Sequence, residues 1–166
     1  LDRLDDGVVA AARKHYYAMI THIDYALGRL FGELKSQGLW DDTIVIFTSD
    51  HGEMLGDHGL FHKSCFYEPS ARVPLIVKAA RSAELPLRAG SVCDRPVMLA
   101  DLYPTFMDMA GCGRGAEEAA RDGRSLLETM GTGESRVLYG HINDHGGMYM
   151  ATDEAWKYLY FAQDGR

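Results

Sequence analysis

The chain has 166 residues, 46% of them hydrophobic and 25% charged, with 17 basic against 24 acidic side chains and a net charge of −7. That length suits a single domain with enough apolar side chains for a core, and the composition excludes disorder. The acidic balance excludes an electrostatic nucleic-acid binder, and no apolar run approaches the roughly 18–20 residues of a membrane helix.

Residues 7–37 read as one long amphipathic helix, with Tyr16, Met19, Ile20, Ile23, Leu27, Leu30, Phe31 and Leu34 at steps of three and four and Gly38 as its cap. Asp41-Asp42 leads into Thr43-Ile44-Val45-Ile46-Phe47-Thr48. That apolar run lacks polar alternation, as expected of a strand buried on both faces of a parallel sheet. It should carry the long helix on its sheet. Val73 to Val77 reads as a second strand, with Pro74 placing it at an edge or entry. Residues 80–96 read as loop, and Pro104 to Ala110 as a helix begun at Val97 or Asp101 and closed by Gly111. Residues 111–124 read as a surface excursion, and Gly131-Thr132-Gly133 as a subdomain boundary. Arg136 to Ile142 and Met148 to Phe161 read as short strands of a small antiparallel sheet around Asp144-His145-Gly146-Gly147.

The chemistry concentrates between Phe47 and Lys63. Asp50 and His51 follow directly on the first strand, where open α/β sheets place their sites. In a regular strand they would point to opposite faces, but Gly52 opens a turn that lets both converge. A carboxylate beside an imidazole suits a divalent metal. The plainer alternative is that Asp50 caps a turn and His51 is a polar surface residue. His58 and His62 lie four apart, as do His141 and His145, but the glycines around each pair favour loops over metal-binding helices. Lys63 could clamp an anion beside a metal. Cys65, Cys93 and Cys112 form no disulfide framework, which favours a reducing, cytoplasmic compartment over a periplasmic or secreted one.

Taken in order, Asp42 to Leu60, then Lys63, Tyr67-Glu68 and Ser70 to Val77, resemble the sulfatase family of the alkaline phosphatase superfamily. Tyr16, Ile23-Asp24, Gly28, Asp101 to Thr105, Ala110-Gly111 and Gly123 to Leu126 fit the same pattern. The match runs over residues 12–161 and is thinnest over 112–145. With His beside the motif aspartate, it is most similar to the choline-sulfatase, iduronate-sulfatase and phosphonate monoester hydrolase branches. The resemblance implies an α/β fold: part of an alkaline-phosphatase-like mixed or parallel sheet flanked by helices, with a small C-terminal antiparallel subdomain. It implies residues 1–131 as the C-terminal part of the catalytic domain and 132–166 as the truncated start of that subdomain.

The same resemblance implies Asp50 and His51 as metal ligands, with calcium expected and manganese, magnesium or zinc as alternatives. It implies Lys63, and His58 beside it, as the catalytic residues that meet the substrate anion. Sulfatases take their nucleophile from a formylglycine made in a Cys/Ser-x-Pro/Ala-x-Arg motif. No such motif occurs around Cys65, Cys93 or Cys112, and Asp5-Asp6 precedes a helix instead of following a buried strand. The nucleophile is therefore expected in a missing N-terminal half, and the isolated chain is expected to be inactive. The implied parent is a sulfuric ester hydrolase acting on small-molecule or saccharide sulfate esters. The alternatives are a phosphonate or phosphate ester hydrolase of the same superfamily and a non-catalytic remnant that binds an anion or a partner.

Overall fold

The computed structural model describes residues 4–83, 85, 88–112, 122–132, 134–143 and 147–162. The chain divides at 84/85 into two units, Leu1–Glu84 and Leu85–Arg166.

The first unit opens with helix α1, Asp6–Ser36, whose start is set by the Asp5 carboxylate accepting from the Val8 amide at 3.0 Å. That is the ordinary work of an N-cap aspartate, reinforced by its charge at the positive end of the helix. Gly38, at φ 70, closes the other end. The helix matches the periodicity, but it has no buried residue, and Ile20, Ile23 and Leu30 are 47%, 52% and 54% exposed. The expected packing of its apolar stripe onto the sheet is therefore corrected. Its anchors lie at the two ends: Val9 and Arg13 meet the loop after the first strand, and Phe31 meets Trp40 at 5.1 Å.

Strand β1, Val45–Thr48, pairs with β2, Leu75–Lys78, in antiparallel register from Val45 opposite Lys78 to Thr48 opposite Leu75. Every residue of β1 is half-buried. The expectation of a strand buried on both faces and paired in parallel is thus corrected for this pair; one antiparallel neighbour is what a mixed sheet allows. Lys78 pins the seam: its ammonium donates to the Thr43 carbonyl at 2.9 Å and lies 4.7 Å from the Trp40 ring centre.

In the second unit a 3₁₀ turn, Leu99–Asp101, runs into helix α3, Leu102–Met109; the four-residue helix α2, Glu68–Ala71, belongs to the first unit. Gly111, at φ 67, follows α3 as expected. Helix α4, Leu126–Thr132, was not foreseen. Of the supposed excursion, residues 113–121 lie outside the described residues, but Gly123 and Arg124 are docked rather than free. A Cβ on Gly123 would stand 2.3 Å from the Ala100 carbonyl oxygen.

Asp101 is fully buried and organises this unit. Its carboxylate accepts from the Met98 and Arg124 amides, each at 2.8 Å, and from the Arg136 guanidinium. Its carbonyl accepts the Thr105 hydroxyl at 2.6 Å, and that hydroxyl accepts the Leu126 amide at 2.9 Å. One carboxylate thus joins the start of α3, the start of α4 and the entry to the sheet. A buried charge is tolerable only when paired and saturated with hydrogen bonds in this way.

The sheet is a meander of β3, Leu138–Ile142, β4, Met148–Thr152, and β5, Lys157–Phe161. The stretch Met148 to Phe161, read as short strand, holds two strands, divided where Asp153 accepts from the Ala155 and Trp156 amides at 2.8 and 2.7 Å. Those two donors hold the Asp153 carboxyl below its usual range.

Removing Asp101 or Arg136 by alanine substitution should destabilise by about 3–5 kcal/mol, the range for stranding one member of a buried pair. Equilibrium denaturation of the parent against each variant measures this. Because the folded Asp153 titrates below its unfolded value, its contribution to the β4–β5 turn is present above the unfolded pKa. It is lost as pH falls through the folded value. The protection factors of the Ala155 and Trp156 amides, measured against the intrinsic exchange rate at each pH, should fall over that acid window in the wild type and be low at all pH values in Asp153→Ala.

Candidate functional site

Ser49-Asp50-His51-Gly52 leaves the carboxyl end of β1. Its path is set by a second backbone seam, in which the Gly52 amide donates to the Ser70 carbonyl at 2.7 Å and the Glu53 amide to Pro69 at 2.9 Å. The approach is so close that a Cβ on Gly52 would sit 2.0 Å from the Pro69 carbonyl oxygen. Glycine is required here for room.

The turn brings the two expected ligands together. Asp50 Oδ2 and His51 Nε2 stand 3.5 Å apart, with the side chains 82% and 40% exposed. The other atom of each is already engaged. Asp50 Oδ1 accepts the His51 amide at 2.9 Å, with the Ser49 hydroxyl at 3.3 Å. His51 Nδ1 faces the Gly52 carbonyl at 2.8 Å. In the neutral ring that contact holds the proton on Nδ1 and leaves Nε2 a lone pair. The His51 amide is the main cause that lowers the Asp50 carboxyl below its usual range; desolvation opposes it and the imidazole's charge adds to it. The aspartate is therefore an anion at neutral pH.

Adjacent ligands on one cation, each at about 2.0–2.4 Å, lie roughly 3–3.9 Å apart. The pair fits as part of a divalent cation's ligand set. It is not a whole set: among the described residues no group of three or more His, Cys, Asp or Glu side chains could hold a metal ion.

The loop to Lys63 closes on itself. Glu53 Oε1 accepts the His62 amide at 2.6 Å, and the Met54 amide donates to the His62 carbonyl at 2.9 Å. Met54 is buried beneath, with Cys65 Sγ 3.5 Å from its sulfur. Leu55, His58 and His62 have φ of 48, 55 and 72. Non-glycine residues held there cost about 1–3 kcal/mol each and gather at functional sites. His58 is exposed and stacks on Tyr67 with ring centres 4.3 Å apart. His58 and His62 share no helical face, which removes the helical metal pair. Lys63 is exposed; its carbonyl accepts the Ser70 hydroxyl, and among the described residues no partner holds its ammonium. His141 stacks on Tyr149, and His145 lies outside the described residues.

Sequence reading missed Glu53 and Arg13. Glu53 stands directly after the Gly52 turn, a position that could have signalled a loop-closing carboxylate. Arg13 lies 42 residues from Leu55, to whose carbonyl it donates, and nothing local marks it.

The sulfatase family profile matches residues 5–112. The chain belongs to the sulfatase family. It is 41% identical over 180 residues to the multifunctional alkaline phosphatase superfamily protein PehA of Trinickia caryophylli, covering 96% of this chain and 34% of that protein. Among solved structures it resembles BT4656 bound to its substrate D-glucosamine-2-N,6-O-disulfate, with TM-score 0.78 and 30% identity over 90% of this chain and 31% of that one. It likewise resembles the phosphonate monoester hydrolase of Agrobacterium radiobacter, with TM-score 0.76 and 32% identity over 93% of this chain and 34% of that one. This sulfatase-family chain spans about a third of the length of the curated relatives it matches. Its fold is accordingly an α/β portion of the alkaline-phosphatase-like fold.

Gly52→Ala should push the turn off the Pro69 carbonyl and destabilise by about 1–3 kcal/mol, the range for overpacking at a site with no space. Thermal unfolding of the variant against the parent reads this directly.

Proposed function

We propose that this chain is the metal-and-anion-binding portion of a longer sulfuric ester hydrolase. The carrying observation is the Asp50–His51 pair, with Oδ2 and Nε2 left open 3.5 Å apart at the end of β1, in a chain of the sulfatase family. Asp50 and His51 would hold a divalent cation, calcium by this proposal, with manganese, magnesium and zinc the alternatives. When bound, such a cation supplies Lewis-acid neutralisation of an anionic ester. Asp50 brings the negative charge, and His51, its proton kept on Nδ1 by Gly52, brings the nitrogen lone pair. Lys63 would hold a non-bridging oxygen of the ester, where charge changes on the way to the transition state. His58, its ring face laid on Tyr67, is proposed as a second contact to the substrate.

The formylglycine nucleophile is proposed to lie outside these residues. Residues 1–131 are read as the C-terminal part of the catalytic domain and 132–166 as the start of a smaller subdomain. The substrate proposed is a small-molecule or saccharide sulfate ester. No described helix is long and apolar enough to cross a membrane. The three free thiols, two of them exposed, support a reducing, cytoplasmic setting.

A second reading, hydrolysis of phosphonate or phosphate esters, is supported by the likeness to the phosphonate monoester hydrolase. The same Asp, His and Lys groups suit either anion. Steady-state kinetics of the full-length parent on an aryl sulfate and on an aryl phosphonate separate the two; a higher kcat/KM on the phosphonate sinks the sulfatase reading.

In that parent, Asp50→Ala should lose bound metal, measured by elemental analysis, together with activity. Lys63→Ala should retain metal and slow turnover by about 10²–10³, the range for losing one oxyanion donor. Unchanged kinetics in Lys63→Ala would remove Lys63 from the site.

A further inference from the structure

Between the Asp50–His51 pair and Lys63 runs a loop in an unusual state. Leu55, Gly56, His58 and Gly59 all lie in the left-handed region, at φ of 48, 90, 55 and 71. These residues form a tight turn closed by its own backbone bonds, the Gly56 amide to the Leu60 carbonyl at 2.8 Å and the Asp57 amide to the Met54 carbonyl at 2.9 Å, so its attachment to the rest of the unit needs support from outside it.

That support comes from α1. Arg13 Nε donates to the Leu55 carbonyl at 2.9 Å, and Nη2 donates to Asp57 Oδ1 at 2.7 Å. Val9, one turn earlier on the same helix face, stands against Gly56, where a Cβ would come within 2.8 Å of Val9 Cγ1. The guanidinium therefore grips the loop on both sides of the residue on which Val9 rests. The strength of the ion pair is not the point. With side chains 43% and 49% exposed, it adds little stability. A rigid planar fork donating to two acceptors fixes direction, which a lysine's single ammonium cannot reproduce.

We infer that Arg13 is a positioning residue: by holding residues 55–57 it sets the segment that carries His58 and leads into Lys63. The inference rests on the proposed role of Lys63 at the anion site. It differs from that role because Arg13 acts from another element and touches no substrate.

The test uses the full-length parent with Arg13→Ala, Arg13→Lys, Lys63→Ala and the Arg13→Ala/Lys63→Ala double variant. Hydrogen exchange over residues 54–62 should quicken at least about tenfold in Arg13→Ala, with β1 and β2 unchanged. Bound metal should stay at the parent level. On an aryl sulfate, kcat/KM should fall about 10- to 100-fold, as expected for reacting groups displaced by about an ångström. Arg13→Lys should restore only part of the loss. In the Lys63→Ala background, Arg13→Ala should add almost nothing, because both changes remove the same interaction. Should Arg13→Ala fail to fold, Asp57→Ala removes one prong without touching α1 and should give the same pattern at smaller amplitude. Unchanged exchange over 54–62 overturns the clamp whatever the kinetics. Losses that multiply in the double variant make Arg13 a general support and overturn the positioning role. Quickened exchange with a silent Lys63→Ala leaves the clamp standing and refutes the site reading instead.

Discussion

The site depends on how closely two backbones approach at Gly52. Its amide reaches the Ser70 carbonyl at 2.7 Å, leaving no room for a side chain against Pro69. The β1 ladder ends at Thr48 opposite Leu75, and this contact fixes the path of the chain beyond it. Only after that turn can Asp50 and His51, which alternate along an extended strand, present Oδ2 and Nε2 to one point. The Gly52 carbonyl then settles the imidazole's proton at Nδ1. One glycine thus controls geometry and protonation together, without contributing a side chain.

The loop beyond Gly52 solves a different problem. It has to return from Glu53 to His62, and it does so through short backbone bonds such as the Gly56 amide to the Leu60 carbonyl at 2.8 Å, with side chains fixing its two flanks. The Glu53 carboxylate takes the His62 amide, and Arg13 takes the Leu55 carbonyl. Left-handed backbone at Leu55, His58 and His62 is unfavourable alone and persists because these contacts leave no alternative path. Buried Met54 and Cys65 supply an apolar floor.

The second unit uses the same device with a buried charge. Asp101 has both carboxylate oxygens occupied by backbone amides, and the Arg136 guanidinium balances its charge. Segments from Met98 to Arg136 converge on it although little apolar surface is buried between them. Among the described residues of this unit, Leu126 and Leu138 are the buried large apolar side chains. The polar junction therefore specifies the arrangement more than it stabilises it. Removing one partner is costly because the other is left charged in a dry place.

Much of this was legible in the sequence. The period of 3.6 along α1, the apolar run of β1, the cap glycines Gly38 and Gly111 and the adjacent pair Asp50–His51 are local signals, and local sterics decide them. Helix α4 was missed because Ser125-Leu126-Leu127 sits among glycines and polar residues. Its start is set by Thr105, some twenty residues away. The sequence does not place the turn between β4 and β5, because it is set by the Asp153 carboxylate taking two amides. The burial of α1 was overestimated, because periodicity shows that a face is apolar and not what covers it. Composition and spacing determined the elements, the charge and the residue types able to bind a metal and an anion. Tertiary structure alone decided which atoms of Asp50 and His51 remain open, that His58 rests on Tyr67, and that Arg13 holds the loop, because each depends on groups brought together across many residues of chain.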